Sequence, residues 1–158
     1  MDFVDKNLLG RAVGTMLERA TALVYIDAKS LEHTDDPISL SFEFADGVVL
    51  RMYGHSDGER LRVDASTREP FDMHELGQVV RRDLSSSPKL KGLIGRTLSV
   101  VGAVVGADNA SVAGDILGIR FEFDPPERLY VLNWGDTTFF GRDLPADVNP
   151  RELKEVPI

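Results

Sequence analysis

The tripeptide Phe-Glu-Phe occurs twice in this 158-residue chain, at 42–44 and again at 121–123. Leu50 and Leu129 follow the two copies at the same distance, with no gap between. An internal repeat of this kind limits the fold, because each copy must form the same structural unit. The sequence therefore predicts a duplicated unit.

A second pair of matching segments lies upstream of the tripeptides. Lys-x-Leu-Leu-Gly-Arg at 6–11 corresponds to Lys-x-Leu-Ile-Gly-Arg at 91–96. The matches occur in the same order in both halves, which favours duplication over chance.

Strict alternation of apolar and polar residues surrounds both tripeptides and is typical of a strand with one buried face. Turn residues follow each strand: Ala-Asp-Gly in the first half and Asp-Pro-Pro-Glu in the second. Each half is therefore predicted to end in a three-stranded meander. The apolar sets are Ile38, Leu40, Phe42 and Phe44 in the first half and Leu117, Ile119, Phe121 and Phe123 in the second.

The segments that begin the two halves differ in pattern. Apolar residues from Leu9 to Val24 fit one face of a helix, whereas the stretch 96–106 is rich in glycine and β-branched residues and favours a strand. We expect a short N-terminal helix that leads into a strand at about 21–28. The pattern alone leaves both helix and strand open for this segment.

Between the halves, Phe71, Leu76, Val79, Val80 and Leu84 are spaced for one helical face, and Asp72 resembles an N-cap. This pattern predicts a helix over about 71–86 that covers one sheet face. The predicted fold class is α+β, mainly antiparallel sheet built from two repeated β-meander units with one intervening helix. We expect a single compact domain over 1–158, with unit one at about 6–66, unit two at about 91–145 and a C-terminal tail at 146–158.

Charge and composition restrict the partners. The chain has 26 acidic and 18 basic residues and a net charge of −8. Nucleic acids and anionic membrane surfaces need clustered Lys and Arg, so neither is expected to bind. A basic protein partner would suit this charge. With no Cys and no signal peptide at the N-terminus, a cytoplasmic location is expected.

No residue set forms a recognised catalytic or metal-binding motif. His33, His55 and His74 lie in separate segments without metal-ligand spacing. No glycine-rich phosphate loop and no nucleophile elbow is present. The sequence therefore predicts a protein that is not an enzyme and needs no metal or other cofactor.

The strand 128–134 is apolar on both faces. Leu129 and Val131 continue the buried face, while Tyr130, Leu132 and Trp134 make the opposite face apolar too. Either the predicted helix covers this second face, or the face is a partner-binding patch. The candidate partner-binding residues are Tyr130, Trp134, Asp136, Phe139 and Asp143.

The segment Leu93–Pro145, with "LIGR", "GIRFEF", "LYVLNWGDT" and "RDLP", resembles small bacterial polymorphic-toxin immunity proteins. The resemblance implies a protein that neutralises a toxin by direct binding, and the negative charge of the chain would suit a basic toxin domain as the partner. Two alternatives remain: a structural or homo-oligomeric β-rich domain, such as a homodimer, or a ligand-binding or enzymatic module with a pocket between the repeats.

Overall fold

The structure is a computed structural model that describes residues 4–27, 37–54, 60–65, 70–72, 77–106, 116–134, 137–146 and 153–158. These ranges contain one helix, α1 (Lys6–Ala12), and eleven strands in two antiparallel sheets. The mainly antiparallel structure and the short N-terminal helix are therefore confirmed. No helix in these ranges is long and apolar enough to cross a membrane.

Asp5 is the N-cap of helix α1, and its carboxylate accepts a hydrogen bond from the backbone N–H of Leu8 at 3.0 Å. This N-cap satisfies one of the donors that a first helical turn leaves free. The helix ends much earlier than the apolar pattern indicates, because Val13 already has an extended backbone. The later residues of that pattern lie in a strand, which begins at Leu17.

Sheet A is formed from the first half of the chain and sheet B from the second. Sheet A has the order β4-β3-β2-β1-β6-β5, and sheet B has the order β10-β9-β8-β7-β11. The strands of sheet A are β1 (Leu17–Asp27), β2 (Pro37–Phe44), β3 (Val49–Gly54), β4 (Leu61–Asp64), β5 (Phe71–Asp72) and β6 (Gly77–Asp83). Those of sheet B are β7 (Thr97–Gly106), β8 (Gly118–Asp124), β9 (Glu127–Trp134), β10 (Thr137–Gly141) and β11 (Leu153–Pro157).

The two sheets share one topology, apart from the two-residue strand β5. In each sheet four consecutive strands form a meander, and a later strand returns to pair with the first of them. The register agrees as well: Phe42 pairs with Leu50 in sheet A, and Phe121 pairs with Leu129 in sheet B. Each first strand also carries a register shift near its start, after Leu17 in β1 and after Leu98 in β7.

The inner faces of the sheets form one hydrophobic core. Phe42, Phe44, Phe121 and Phe123 are each at most 2% exposed, so the predicted strand faces are confirmed. The rings of Phe42 and Phe121 meet edge to face, with their centroids 5.5 Å apart. The apolar alternation weakens at the start of β2, where Ile38 is 40% exposed.

The predicted helix over 71–86 is wrong. Residues 71–72 and 77–83 form strands β5 and β6, and residues 73–76 lie outside the described ranges. Gly77 has a φ of 125°, which a helix does not allow. The β-branched pair Val79 and Val80 favours a strand, and β6 pairs with β1 along its whole length.

The segment named as a C-terminal tail also contains sheet structure. Strand β11 pairs antiparallel with β7, from Leu153 opposite Gly106 to Pro157 opposite Gly102. It occupies the place in sheet B that β6 occupies in sheet A.

Candidate protein-binding surface

The outer face of sheet B carries a small apolar cluster of its own. Val104, Tyr130 and Leu132 are buried there, and Phe139, Leu144 and Leu153 pack against them. The second apolar face of β9 is thus covered by residues near the C-terminus. The described residues of the helix predicted to cover this face do not form it, because 71–72 and 77–83 are strands of sheet A.

Tyr130 forms a side-chain hydrogen bond to strand β11 of sheet B. Its side chain is 5% exposed, and its hydroxyl donates a hydrogen bond of 2.8 Å to Oε1 of Glu155. The other carboxylate oxygen of Glu155 accepts from Arg120 Nη1, also at 2.8 Å. Both Arg120 and Glu155 are partly exposed, so this ion pair contributes at most about 1 kcal/mol. As placed here, Tyr130 holds β11 and offers little surface to a partner.

Burial raises the pKa of Tyr130, and its hydrogen bond to Glu155 adds to the shift. Tyr53 has a matching arrangement on sheet A. Its hydroxyl donates a hydrogen bond to Asp64 Oδ2 at 2.7 Å. Burial is the main cause that raises the pKa of Tyr53, and this hydrogen bond adds to the shift. In both cases the neutral phenol is the favoured form in the folded protein.

The raised tyrosine pKa values predict a loss of stability at alkaline pH. The folded protein holds each phenolic proton more tightly than the unfolded chain, whose tyrosines have a pKa near 10. Stability is therefore unaffected below about pH 10 and falls as the pH rises through the folded pKa values. Denaturant unfolding across this range should show a shallower decline for Tyr130→Phe than for the wild type. Identical declines would show that Tyr130 has an ordinary pKa.

Phe139 and Asp143 lie at the margin of the cluster. The Phe139 ring is half-buried and folds over Gly141, and Lys89 Nζ lies 5.3 Å from its centroid. The Asp143 side chain is 85% exposed, and one carboxylate oxygen lies 3.4 Å from Arg128 Nη2. Asp143 is therefore exposed and Phe139 partly exposed, and their role in partner binding stays a prediction.

The other two candidate residues cannot be placed in this surface. Trp134 is the last residue of β9 and pairs through its backbone with Thr137, but its side chain lies outside the described part of the chain. Asp136 also lies outside the described residues. Their roles stay predictions.

A groove of about 470 Å³ lies beside Arg128, around the turn that joins β8 to β9. A polar wall comes from the register shift in β7, where the hydroxyl of Ser99 donates to the carbonyl group of Glu122 at 2.9 Å. The groove is lined by Ser99, Glu122, Phe123, Asp124, Pro126, Glu127 and Arg128.

The groove carries more negative than positive charge. Three of its side chains are carboxylates, and one is a guanidinium. Glu122 and Glu127 form ion pairs with Arg120 and Arg142. Asp124 is exposed and has no ion pair with a described residue. Such a groove can accept a Lys or Arg side chain.

The sequence contained part of the signal for this groove. Glu122, Asp124 and Glu127 lie on both sides of a proline turn, which brings acids from two strands together. Ser99 could not be found in the same way, because its position depends on an irregularity in the pairing of β7.

The described residues contain no group of three or more His, Asp or Glu side chains that could hold a metal ion. All three histidines lie outside the described residues, as does Asp35, the acid next to His33. The expected absence of a cofactor and of an enzymatic activity stays a prediction.

No protein-family model, no curated protein and no solved structure matches this chain. The resemblance to immunity proteins therefore rests on the quoted residues alone.

Proposed function

We propose that this chain is a non-enzymatic, cytoplasmic binding protein that neutralises a bacterial toxin domain by direct contact. The contact surface is the acidic rim, defined as the groove beside Arg128 together with Phe139 and Asp143. The observation that carries the proposal is this groove, which combines three carboxylates with space for side chains of a partner.

Charge supports a basic partner. Among the carboxylates of the rim, Asp124 has no ion pair with a described residue, and Asp143 is 85% exposed although it lies 3.4 Å from Arg128. The chain as a whole has a net charge of −8. Complementary charge raises the rate of encounter and rejects acidic partners. Val100 is 46% exposed and adds apolar surface beside the groove. It lies opposite Glu122 on the neighbouring strand.

Comparison of the two sheets also supports an outer-face site. Most buried positions agree in character in the shared register, and they include Leu17/Leu98, Ala22/Ala103, Val24/Val105, Leu40/Ile119, Leu50/Leu129 and Met52/Val131. An exception is the buried Leu61, whose counterpart is the buried Thr138. Several outer positions differ in character, among them Ser41/Arg120, Val49/Arg128, Arg51/Tyr130 and Arg81/Glu155, whereas Glu43 and Glu122 are identical. The core thus meets a common packing requirement, whereas sheet B has acquired its own surface.

From the same comparison we infer that the sheets are two copies of one five-stranded unit. Topology, register and the shifted pairing near Leu17 and Leu98 all support this inference. The second copy then extends to the end of β11, well beyond the predicted boundary at about residue 145.

Of the two alternatives, a pocket between the units is the less favoured. The Phe42 and Phe121 rings fill the space between the sheets where the core is described. A homodimer through the outer face of sheet B remains the second candidate, since exposed Val100 and half-buried Phe139 provide apolar surface there.

The proposal predicts that Asp143→Asn slows association with the basic toxin domain that the chain neutralises. Rim carboxylates act mainly on the association rate, and salt weakens their effect. Surface plasmon resonance at two salt concentrations measures both rates. The matched control is Asp46→Asn in the turn after β2, because asparagine retains the oxygen that accepts the N–H of Val48. Equal association rates for the two variants would remove Asp143 from the contact surface.

Aromatic residues are expected to act on the dissociation rate. Phe139→Ala should accelerate dissociation, because aromatic anchors provide much of the energy of an interface. Trp134→Ala is the parallel test for the other candidate aromatic. The melting temperature of each variant is measured beside its kinetics, since a core residue would lower stability before it changed affinity.

A further inference from the structure

The hydrogen bonds that join the two sheets at one corner occur in matched pairs. The N–H of Gly14 donates to the carbonyl group of Leu98, and the N–H of Gly95 donates to that of Leu17, both at 2.8 Å. Leu17 corresponds to Leu98, because they pair with Phe44 and Phe123, and Gly14 and Gly95 each lie three residues before them. This correspondence replaces the sequence match of 6–11 with 91–96, since the first segment lies in helix α1 and the second forms turns. Exchange of the two units therefore converts each of these hydrogen bonds into the other.

A second matched pair lies next to the first. The N–H of Leu17 donates to Arg96 at 3.0 Å, and the N–H of Leu98 donates to Thr15 at 2.9 Å. The backbone repeats too, because Gly14 has a φ of 89° and Gly95 a φ of 88°. These values lie in the left-handed region that glycine adopts easily.

Three further contacts join a residue to its own counterpart. Met16 forms an isolated antiparallel bridge with Thr97 at the corner. In the core, the Phe42 ring meets the Phe121 ring. At the far end of the sheets, the side chain of Asn133 lies against Gly54, where a Cβ atom would be 2.6 Å from Asn133 Oδ1.

Contacts of this kind define a two-fold axis. In an interface with two-fold symmetry, residue i contacts residue j and j contacts i, and residues on the axis contact their own copies. The four corner bonds have the first property, and the three contacts just described have the second. We propose that the surface between the units is a homodimer interface enclosed in one chain, so that the partner each unit fits is a second copy of itself.

This proposal goes beyond toxin neutralisation and does not depend on it. It makes a specific statement about the contact of Gly54 with Asn133. Across a two-fold axis the two positions are exchangeable, so asparagine at 54 and glycine at 133 should rebuild the contact from the opposite side. If the sheets were related in any other way, the exchange would place asparagine in a different environment.

The test is a cycle of Gly54→Asn, Asn133→Gly and the double exchange in the full chain, with melting temperature as the readout. Gly54→Asn should lower it by roughly 5 °C or more, because the new side chain collides with Asn133. Asn133→Gly should also lower it, because the bond of 2.9 Å from Asn133 to the Arg60 carbonyl group is lost. The double exchange should recover more than half of the summed loss; additive losses would overturn the proposal.

A second measurement decides the matter if Gly54→Asn does not fold. Phe42→Leu and Phe121→Leu are mild changes at the two ends of one symmetric contact. Their melting temperatures should fall by equal amounts within error. Losses that differ by more than a factor of about two would show that the sites are not equivalent.

Discussion

Replacement of Phe121 by alanine is expected to lower the free energy of unfolding by about 3–5 kcal/mol, the usual cost of a large cavity in a packed core. The Phe121 side chain has no exposed surface, and its ring contacts Phe42 of the other sheet. Because native domains are stable by only about 5–15 kcal/mol, this one change should remove a large part of the total.

Urea unfolding of the variant and the wild type measures the effect. The control is Ile38→Ala in the neighbouring strand β2, since Ile38 is 40% exposed and its truncation should cost much less than that of Phe121. Similar losses for the two variants would mean that Phe121 does not lie in the core.

The second large effect is expected for Gly118→Ala, which should destabilise the protein by about 3 kcal/mol. A Cβ atom at Gly118 would lie 2.1 Å from Leu132 Cδ2 and 2.3 Å from the carbonyl oxygen of Val131. A side chain can turn away, but the carbonyl group belongs to the ladder between β8 and β9, so the strands themselves must move.

The matched control for this change is Gly10→Ala in helix α1. A Cβ atom there would meet nothing within 4 Å, and alanine is preferred to glycine in a helix by about 0.5–1 kcal/mol. The same substitution should therefore stabilise the protein at position 10 and destabilise it at position 118. Thermal unfolding of both variants gives the comparison, and a neutral Gly118→Ala would disprove the close approach of β8 and β9.

The second and third strands of each meander could be predicted from the sequence, whereas the pattern of β1 left helix and strand open. In β2 from Leu40 to Phe44 and in β8 from Ile119 to Phe123 every second residue is buried, so the alternation around Phe42 and Phe121 is strong. The strand β7 could also be predicted, because its β-branched residues oppose a helix. Here local preference and burial point to the same structure.

The returning strands β6 and β11 were missed for a physical reason. Neither has a fully buried face with a clear alternation, and a run such as Val79-Val80 fits either a strand or a helix. Their place is set by pairing with β1 and β7, which are distant in the sequence. Their own sequences do not match, since Arg81 and Glu155 occupy the same place on the two outer faces.

The candidate surface could be predicted only in part. Exposure of Asp143 follows from its charge, but burial of Tyr130 depends on Glu155, which lies in a strand that the sequence did not reveal. The groove likewise needs the pairing of β7 with β8 before Ser99 and Glu122 come together. Residues that depend on long-range pairing are thus the ones that sequence reasoning could not place.

Titration of the toxin's activity against the purified chain tests directly whether the chain neutralises the toxin by binding it. A protein that acts by binding should reduce the activity in proportion to its amount and abolish it at a fixed molar ratio, with no further change over time. Asp143→Asn and Phe139→Ala should weaken this inhibition, whereas Asp46→Asn should leave it unchanged. Complete inactivation by a small fraction of the toxin's molar amount, increasing with time, would show that the chain is a catalyst and would contradict the account.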